Sequence, residues 1–276
     1  MNIISLGVGI QSSALLLMAL NGKFDWFPDC AIFADTYSEA DHVYKYLNYL
    51  ETIVGKRFPI YRVSAGNLEK DVIDAVEGKN NKVGNPPFHV INRDTLPGLK
   101  PDKGGILWRA CTSDYKIVPI RKKMRELYLT SGREKIIQHI GISLDEMERM
   151  KDSRVKYIVN SYPLIDSGLT RHDCKIWLTR NYYNVPGKSA CHFCPYRSNR
   201  SWAEMKREDP GTFERACSFD DSLRSSGKRL PMVTGEVYLH SSYKPLREVD
   251  FRNAEDHGQY SLFPDLIQEC DGLCGV

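Results

Sequence analysis

"IISLGVGIQSSALLL", residues 3–17, is the stretch on which the reading of the chain turns. A short β-branched run is followed by two glycines and then by serines and leucines. Strand, Gly-x-Gly turn and helix together are the physical recipe for an anion site, because small residues let backbone N–H groups approach a phosphate beside a helix N-terminus. A dinucleotide loop needs G-x-G-x-x-G and an acid closing the second strand; Gly7, Gly9 and Asp35 fit, but Ser12 stands at the third glycine. A Walker loop needs Gly-Lys-Ser/Thr, and the absence of lysine between Ser5 and Asn21 excludes it. A pyrophosphate-holding loop, in which the hydroxyls of Ser5, Ser12 and Ser13 supplement the amides, remains beside a plain turn capped by Ser12 and Ser13.

Outward from this loop the pattern alternates. Strands are expected at 3–5, 30–33 and 60–63, with helices over 11–21 and 38–53 between them, which predicts an α/β, doubly wound, mainly parallel sheet. Residues 80–105 dissolve into Gly, Pro and Asn and read as a long loop. A basic helix over 118–129, a strand over 135–140, a short helix after Gly141, a strand near 157–159 and a helix capped by Thr170 follow. Beyond Pro186 come a cysteine loop, two helices over 201–207 and 212–224, and an irregular tail.

The 276 residues suffice for a large core, and an excess of three basic residues over acids neither demands nor excludes a nucleic-acid partner. No apolar run approaches the ~20 residues of a bilayer span and no secretory signal opens the chain, which predicts a cytoplasmic protein without a membrane partner. In that compartment the eight cysteines read as thiols or metal ligands. Cys191 and Cys194 form a C-x-x-C loop, and Cys270 and Cys274 lie close together in "ECDGLCGV"; two such pairs suit a four-thiolate site for zinc or an iron–sulfur cluster, with Cys111 competing for the same role. Cys30, Cys174 and Cys217 read as structural, and His172 and His192 as exposed or as neighbours of a site. Asp35, in "IFADTYSEAD", stands where a ribose or a Mg²⁺ ion would want a carboxylate, or where a helix cap would sit. Arg109, Lys116, Arg121, Lys122, Lys123 and Arg125 face only Asp114 and form either a solvated helix face or an anion clamp.

In order, "SLGVGIQSSALL", "IFADTYSEAD", "WRACTSDYKIVPIRKKM", "IGISLDEMERM", "YPLIDSGLTRHDCKIWL", "KSACHFCPYRSNRSW" and "ECDGLCGV" resemble the PP-loop ATP pyrophosphatase superfamily, the adenine nucleotide α-hydrolases. Within it the likeness is to the phosphoadenosine phosphosulfate reductase-like proteins of phages and bacteria. The family loop S-G-G-x-D-S falls on residues 7–12, with Gly7 for the first serine, Val8 for the first glycine and Gln11 for the aspartate. Tyr37 replaces the glycine of D-T-G.

The resemblance implies a PP-loop (HUP-like) nucleotide-binding core over 1–165 and a small, irregular and helical, Cys-containing C-terminal part over 166–276 that packs on it. Ser5, Gly7, Gly9, Gln11, Ser12 and Ser13 would hold the phosphates of ATP or a related adenine nucleotide, with Asp35 on Mg²⁺ or ribose. Gly141, Glu146 and Arg149 match the G-I-x-x-x-E-x-x-R segment beside the nucleotide, and Lys116, Arg121 and Arg149 would neutralise phosphate charge. Cys111, Cys191 and Cys194 match three ligands of a 4Fe-4S cluster, with Cys274 or Cys270 completing it and Zn²⁺ as the alternative. The implied activity is cleavage of ATP to AMP and pyrophosphate to activate an acceptor, with sulfur transfer to a nucleobase of tRNA or DNA from a sulfur donor. The alternatives are a sulfonucleotide reductase, with Cys270 as nucleophile and a thioredoxin-like reductant, and a nucleotide- or nucleic-acid-binding protein without turnover.

Overall fold

The computed structural model describes residues 1–56, 58–80, 85–92, 104–225, 230–231 and 233–252. Its strands, in chain order, are β1 (Asn2–Ser5), β2 (Cys30–Ala34), β3 (Ile60–Val63), β4 (His89–Ile91), β5 (Gly105–Ile106), β6 (Ile136–Ile140), β7 (Ile158–Ser161) and β8 (Glu236–Tyr238). The helices are α1 (Ile10–Leu20), α2 (Asp41–Val54), α3 (Leu68–Val76), α4 (Val118–Ser131), α5 (Pro163–Asp166), α6 (Arg171–Arg180), α7 (Asn199–Glu208) and α8 (Pro210–Ser225).

Five strands form one parallel sheet in the order β3-β2-β1-β6-β7. The two-residue period of its strands sorts their side chains into two cores. Ile4, Ala31 and Phe33 point to one face, where α1, α2 and α6 cover them; Ile3, Cys30, Ile32 and Ala34 point to the other, against Ile120 and Met124 of α4. Both faces are therefore buried, and the fold is a doubly wound α/β sheet, as the alternation predicts. Helix α1 is buried over every residue from Gln11 to Ala19, which explains why it is apolar nearly all round. Helix α2 instead buries Val43, Tyr46, Leu47 and Leu50, one face at helical spacing. Thr170 caps α6 as expected: its hydroxyl accepts the Asp173 N–H at 3.2 Å, and Asp173 Oδ2 accepts the Thr170 N–H at 2.9 Å.

The chain divides into two interleaved compact units: Met1–Ala65 with Thr112–Ser189, and Gly66–Cys111 with the described residues from Ala190 onward. Helix α6, in sequence beyond the boundary expected at 165, buries Cys174 and Leu178 in the same core as α1. The second unit holds α3, α7, α8 and an antiparallel sheet in the order β5-β4-β8. The stretch 80–105, expected to be loop throughout, thus contributes β4 and the start of β5, and the tail contributes β8. Asp220, wholly buried, ties this unit together: Oδ1 and Oδ2 accept the Arg224 guanidinium at 3.1 and 2.6 Å and the N–H groups of Leu239 and Leu246 at 2.9 Å. Among the described residues no helix is long and apolar enough to cross a membrane.

Candidate nucleotide site and cysteine loop

The order of the parallel sheet reverses at β1: β2 and β3 lie on one side of it, β6 and β7 on the other. In open α/β sheets ligands bind outside the carboxyl ends of the strands at such a switch point. Ser5 ends β1 there, and the quoted loop follows. Leu6 N–H extends the sheet onto Ile32 O at 2.9 Å, and the Ser189 hydroxyl donates to Gly7 O. Val8 is buried with φ +60°, a left-handed backbone that a β-branched side chain enters only under strain. Glycine is the residue that adopts this backbone without cost, and a valine stands here instead. Gly9 then caps α1, and its N–H donates to the Ser12 hydroxyl at 3.3 Å. With no acidic residue in the first turn of α1, the positive end of the helix is uncompensated by its own side chains. The Ser5 hydroxyl accepts the Gln138 amide at 2.7 Å, and Ser13 is fully buried beside Tyr46.

A small pocket opens beside the loop, lined by Ser5, Leu6, Gly7, Phe33, Ala34, Lys116 and Ile120. Lys116 reaches it from a π-helical turn, Ser113–Ile117, that runs directly into α4; such local widening recurs at functional sites. Its ammonium meets Glu39 at 2.9 Å, with side-chain exposures of 13% and 0%. Glu39 was not singled out from the sequence, although it stands four residues after Asp35. Asp35 is buried, and its Oδ1 accepts both the Tyr37 N–H at 2.7 Å and the Tyr44 hydroxyl at 2.8 Å. Burial first, and then the Asp35 hydrogen bond, push the Tyr44 pKa far up, so Tyr44 stays a donor. Tyr37, at the family's glycine position, has φ +54°.

On the β6 side, Gln11 Nε2 donates to Glu146 Oε2 at 2.7 Å and lies 3.1 Å from Ser143 Oγ. Glu146 Oε1 in turn meets Arg149 Nη1 at 2.7 Å. Gly141 lets these elements meet: a Cβ there would lie 2.7 Å from Ser12 Cα and 2.8 Å from Ser12 N. The structure thus brings Gln11, Ser12, Gly141, Glu146 and Arg149 together, while Arg121 is exposed on α4.

The second unit carries Cys111, Cys191 and Cys194, all partly exposed, and none of the six described cysteines is in a disulfide. Burial pushes Cys30 and Cys174 up to about 12, which keeps them as thiols and suits the structural role read for them. Cys194 N–H donates to Cys191 O at 3.1 Å, closing the C-x-x-C turn. The nearly buried Arg197 donates to Ala190 O and Cys191 O at 3.3 and 3.2 Å and to Ser201 Oγ at 3.2 Å, so a cation that the sequence did not single out holds this loop. His192 is fully buried rather than exposed, 3.7 Å from Glu69, and that contact holds the Glu69 carboxyl below its usual range. Arg109 lies over the Tyr196 ring, 5.5 Å from its centroid. Among the described residues no three His, Cys, Asp or Glu side chains gather as a metal-binding group, and Cys270 and Cys274 lie outside the described residues.

No protein-family model matches the chain, and no curated protein matches it. Among solved structures it is similar to the phosphoadenylyl-sulfate (PAPS) reductase of Candida auris in its phosphate complex, at 13% identity and a TM-score of 0.38 over 67% of this chain and 74% of that one. It is also similar to the U34-tRNA thiolase NcsA of Methanococcus maripaludis with its 4Fe-4S cluster, at 13% identity and a TM-score of 0.36 over 80% of this chain and 71% of that one.

Proposed function

We propose that the chain is a PP-loop enzyme that binds ATP or a related adenine nucleotide at the β1–α1 loop. The observation that carries this reading is the loop itself: at the switch point of the sheet, a left-handed Val8 and the cap Gly9 lead into the uncompensated start of α1, and a pocket beside the loop is lined by Ser5, Gly7 and Lys116. The phosphates sit on Ser5, Gly7, Gly9, Gln11 and Ser12, with Asp35 near the ribose and Glu146 beside the loop; Ser13, expected among them, is fully buried beside Tyr46 and holds no phosphate. Lys116 and Arg149 neutralise phosphate charge as an acceptor attacks the α-phosphorus; the bond to pyrophosphate breaks and AMP passes to the acceptor. A nucleobase of tRNA or DNA is the proposed acceptor, activated for sulfur transfer from a separate donor. Cys191 and Cys194 suit two ligands of a thiolate-held iron–sulfur or zinc group, with Cys274 as a proposed third; Cys111, expected to join them, does not gather with them among the described residues.

Gln11, where the family loop has an acid, favours a second reading: a sulfonucleotide reductase with Cys270 as nucleophile and a thioredoxin-like reductant. Binding a sulfonucleotide requires neutralised oxygens but no cleavage of a triphosphate. ATP labelled at the α-phosphate, incubated with bulk tRNA or DNA, separates the two. Pyrophosphate should be released and the label should pass to the nucleic acid as a bound adenylate, leaving as AMP when sulfide is added as sulfur donor. Lys116→Met should slow the first step by about 10²–10³-fold, with Lys116→Met/Glu39→Gln as the control that leaves no buried charge unpaired. Sulfite released from the sulfonucleotide, and abolished by Cys270→Ser, would instead establish the reductase. ATP bound without either product would identify a nucleotide-binding protein without turnover.

A further inference from the structure

Of the carboxylates around the loop, Glu146 has both oxygens engaged by the chain's own groups, and Glu39 and Asp35 have one oxygen each so engaged. Glu146 receives the Gln11 amide on one oxygen and the Arg149 guanidinium on the other, each at 2.7 Å. Glu39 Oε1 faces Lys116 at 2.9 Å, and Asp35 Oδ1 takes a backbone N–H and the Tyr44 hydroxyl. An ionised carboxylate only accepts hydrogen bonds, so the NH₂ of Gln11, not its carbonyl, must face Glu146. Mg²⁺ requires oxygen ligands in near-octahedral array. Here an N–H donor of Gln11 faces Glu146 where a second carboxylate would be needed to share a cation, so Mg²⁺ does not fit between these two side chains.

We propose that the chain binds no divalent cation between Gln11 and Glu146, and that Gln11 is a positioning residue doing a cation's work there. Its amide holds Glu146, and through it Arg149, whose Nε is buried with no hydrogen-bond partner among the described residues and is left as a donor for an anion. Phosphate charge is then met by Lys116, Arg149 and the start of α1; this half of the proposal rests on the nucleotide reading above.

The test uses the full chain and Mn²⁺ as probe, with free Mn²⁺ read by electron paramagnetic resonance. Gln11→Asp should gain one Mn²⁺ equivalent over the wild type, and adding Glu146→Gln should remove it; Gln11→Glu serves if the aspartate variant does not fold. ATP affinity of the wild type should change by less than about threefold between EDTA and excess Mg²⁺. In Gln11→Asp it should fall about tenfold or more in EDTA, because two facing carboxylates repel each other and the phosphates. A wild-type Mn²⁺ site that Glu146→Gln abolishes, no Mn²⁺ gained by either folded variant, or ATP that binds the wild type only with Mg²⁺ would each overturn the proposal. A wild type that binds no ATP at all overturns the nucleotide reading instead, and the Mn²⁺ titration of the variants still decides this proposal.

Discussion

Val8 and Tyr37 both hold a left-handed backbone, at φ +60° and +54°. For an L-residue this conformation costs roughly 1–2 kcal/mol. Tyr37 is 56% exposed, so in Tyr37→Gly the relieved strain is offset by the burial that the rest of the ring gives up and by the greater freedom of the unfolded chain, and the urea midpoint should not rise. Val8→Gly should gain nothing, because losing a buried valine costs about 1.5–3 kcal/mol and offsets the relieved strain. His139 makes a second residue-scale prediction. It is buried on β6, stacked on Trp26 with centroids 3.5 Å apart, and burial, with the N-terminal ammonium adding, pushes it down to about 4. Above pH ~6.5 both folded and unfolded chains carry it neutral. As pH falls from there to about 4, the unfolded chain takes up a proton that the folded one refuses, and stability drops by at most roughly 1.4 kcal/mol per pH unit from this group. Below that range both states are protonated and the loss is complete. Urea unfolding between pH 7 and 4 should show this fall, and His139→Gln should flatten it.

At the scale of elements, the close approach of β6 to α1 at Gly141 controls the shape of the loop. A Cβ at Gly141 would press on Ser12 backbone atoms at 2.7–2.8 Å. Gly141→Ala should therefore destabilise by about 1–3 kcal/mol, seen in urea unfolding, and should also weaken nucleotide binding because the first turn of α1 must move. The strand–helix alternation of this part was legible because the buried strands are short apolar runs, such as Cys30–Ala34, and the helices between them carry an apolar face or a cap, as at Thr170. The antiparallel sheet was not. β4, β5 and β8 are three, two and three residues long, and β4 pairs with β8 between His89 and Tyr238, a contact that no local pattern encodes. For the same reason the loop glycines and serines could be read in sequence, whereas the Gln11–Glu146 bond, spanning 135 positions, could not. Arg197 escaped notice because an arginine in a polar stretch ordinarily signals surface; only the fold shows its guanidinium buried on the cysteine loop.

Over the whole molecule, chemistry is divided between two interleaved units. The β1–α1 loop, Lys116, Glu146 and Arg149 belong to the first; Cys111, Cys191 and Cys194 belong to the second. Such interleaving is illegible to a linear reading, which looks for one boundary where composition changes. The central claim is that the β1–α1 loop holds adenine-nucleotide phosphates, and calorimetric titration of ATP into the wild type and Gly9→Ala tests it most directly. A Cβ at Gly9 would meet nothing nearer than Ser189 Cβ at 3.7 Å, so the variant should fold normally while losing the close backbone approach to phosphate. One saturable ATP site is expected in the wild type, weakened about tenfold or more in Gly9→Ala, a loss of about 1.4 kcal/mol or more. Absence of ATP binding together with tight binding of NADH, or an ATP affinity that Gly9→Ala leaves unchanged, would contradict it.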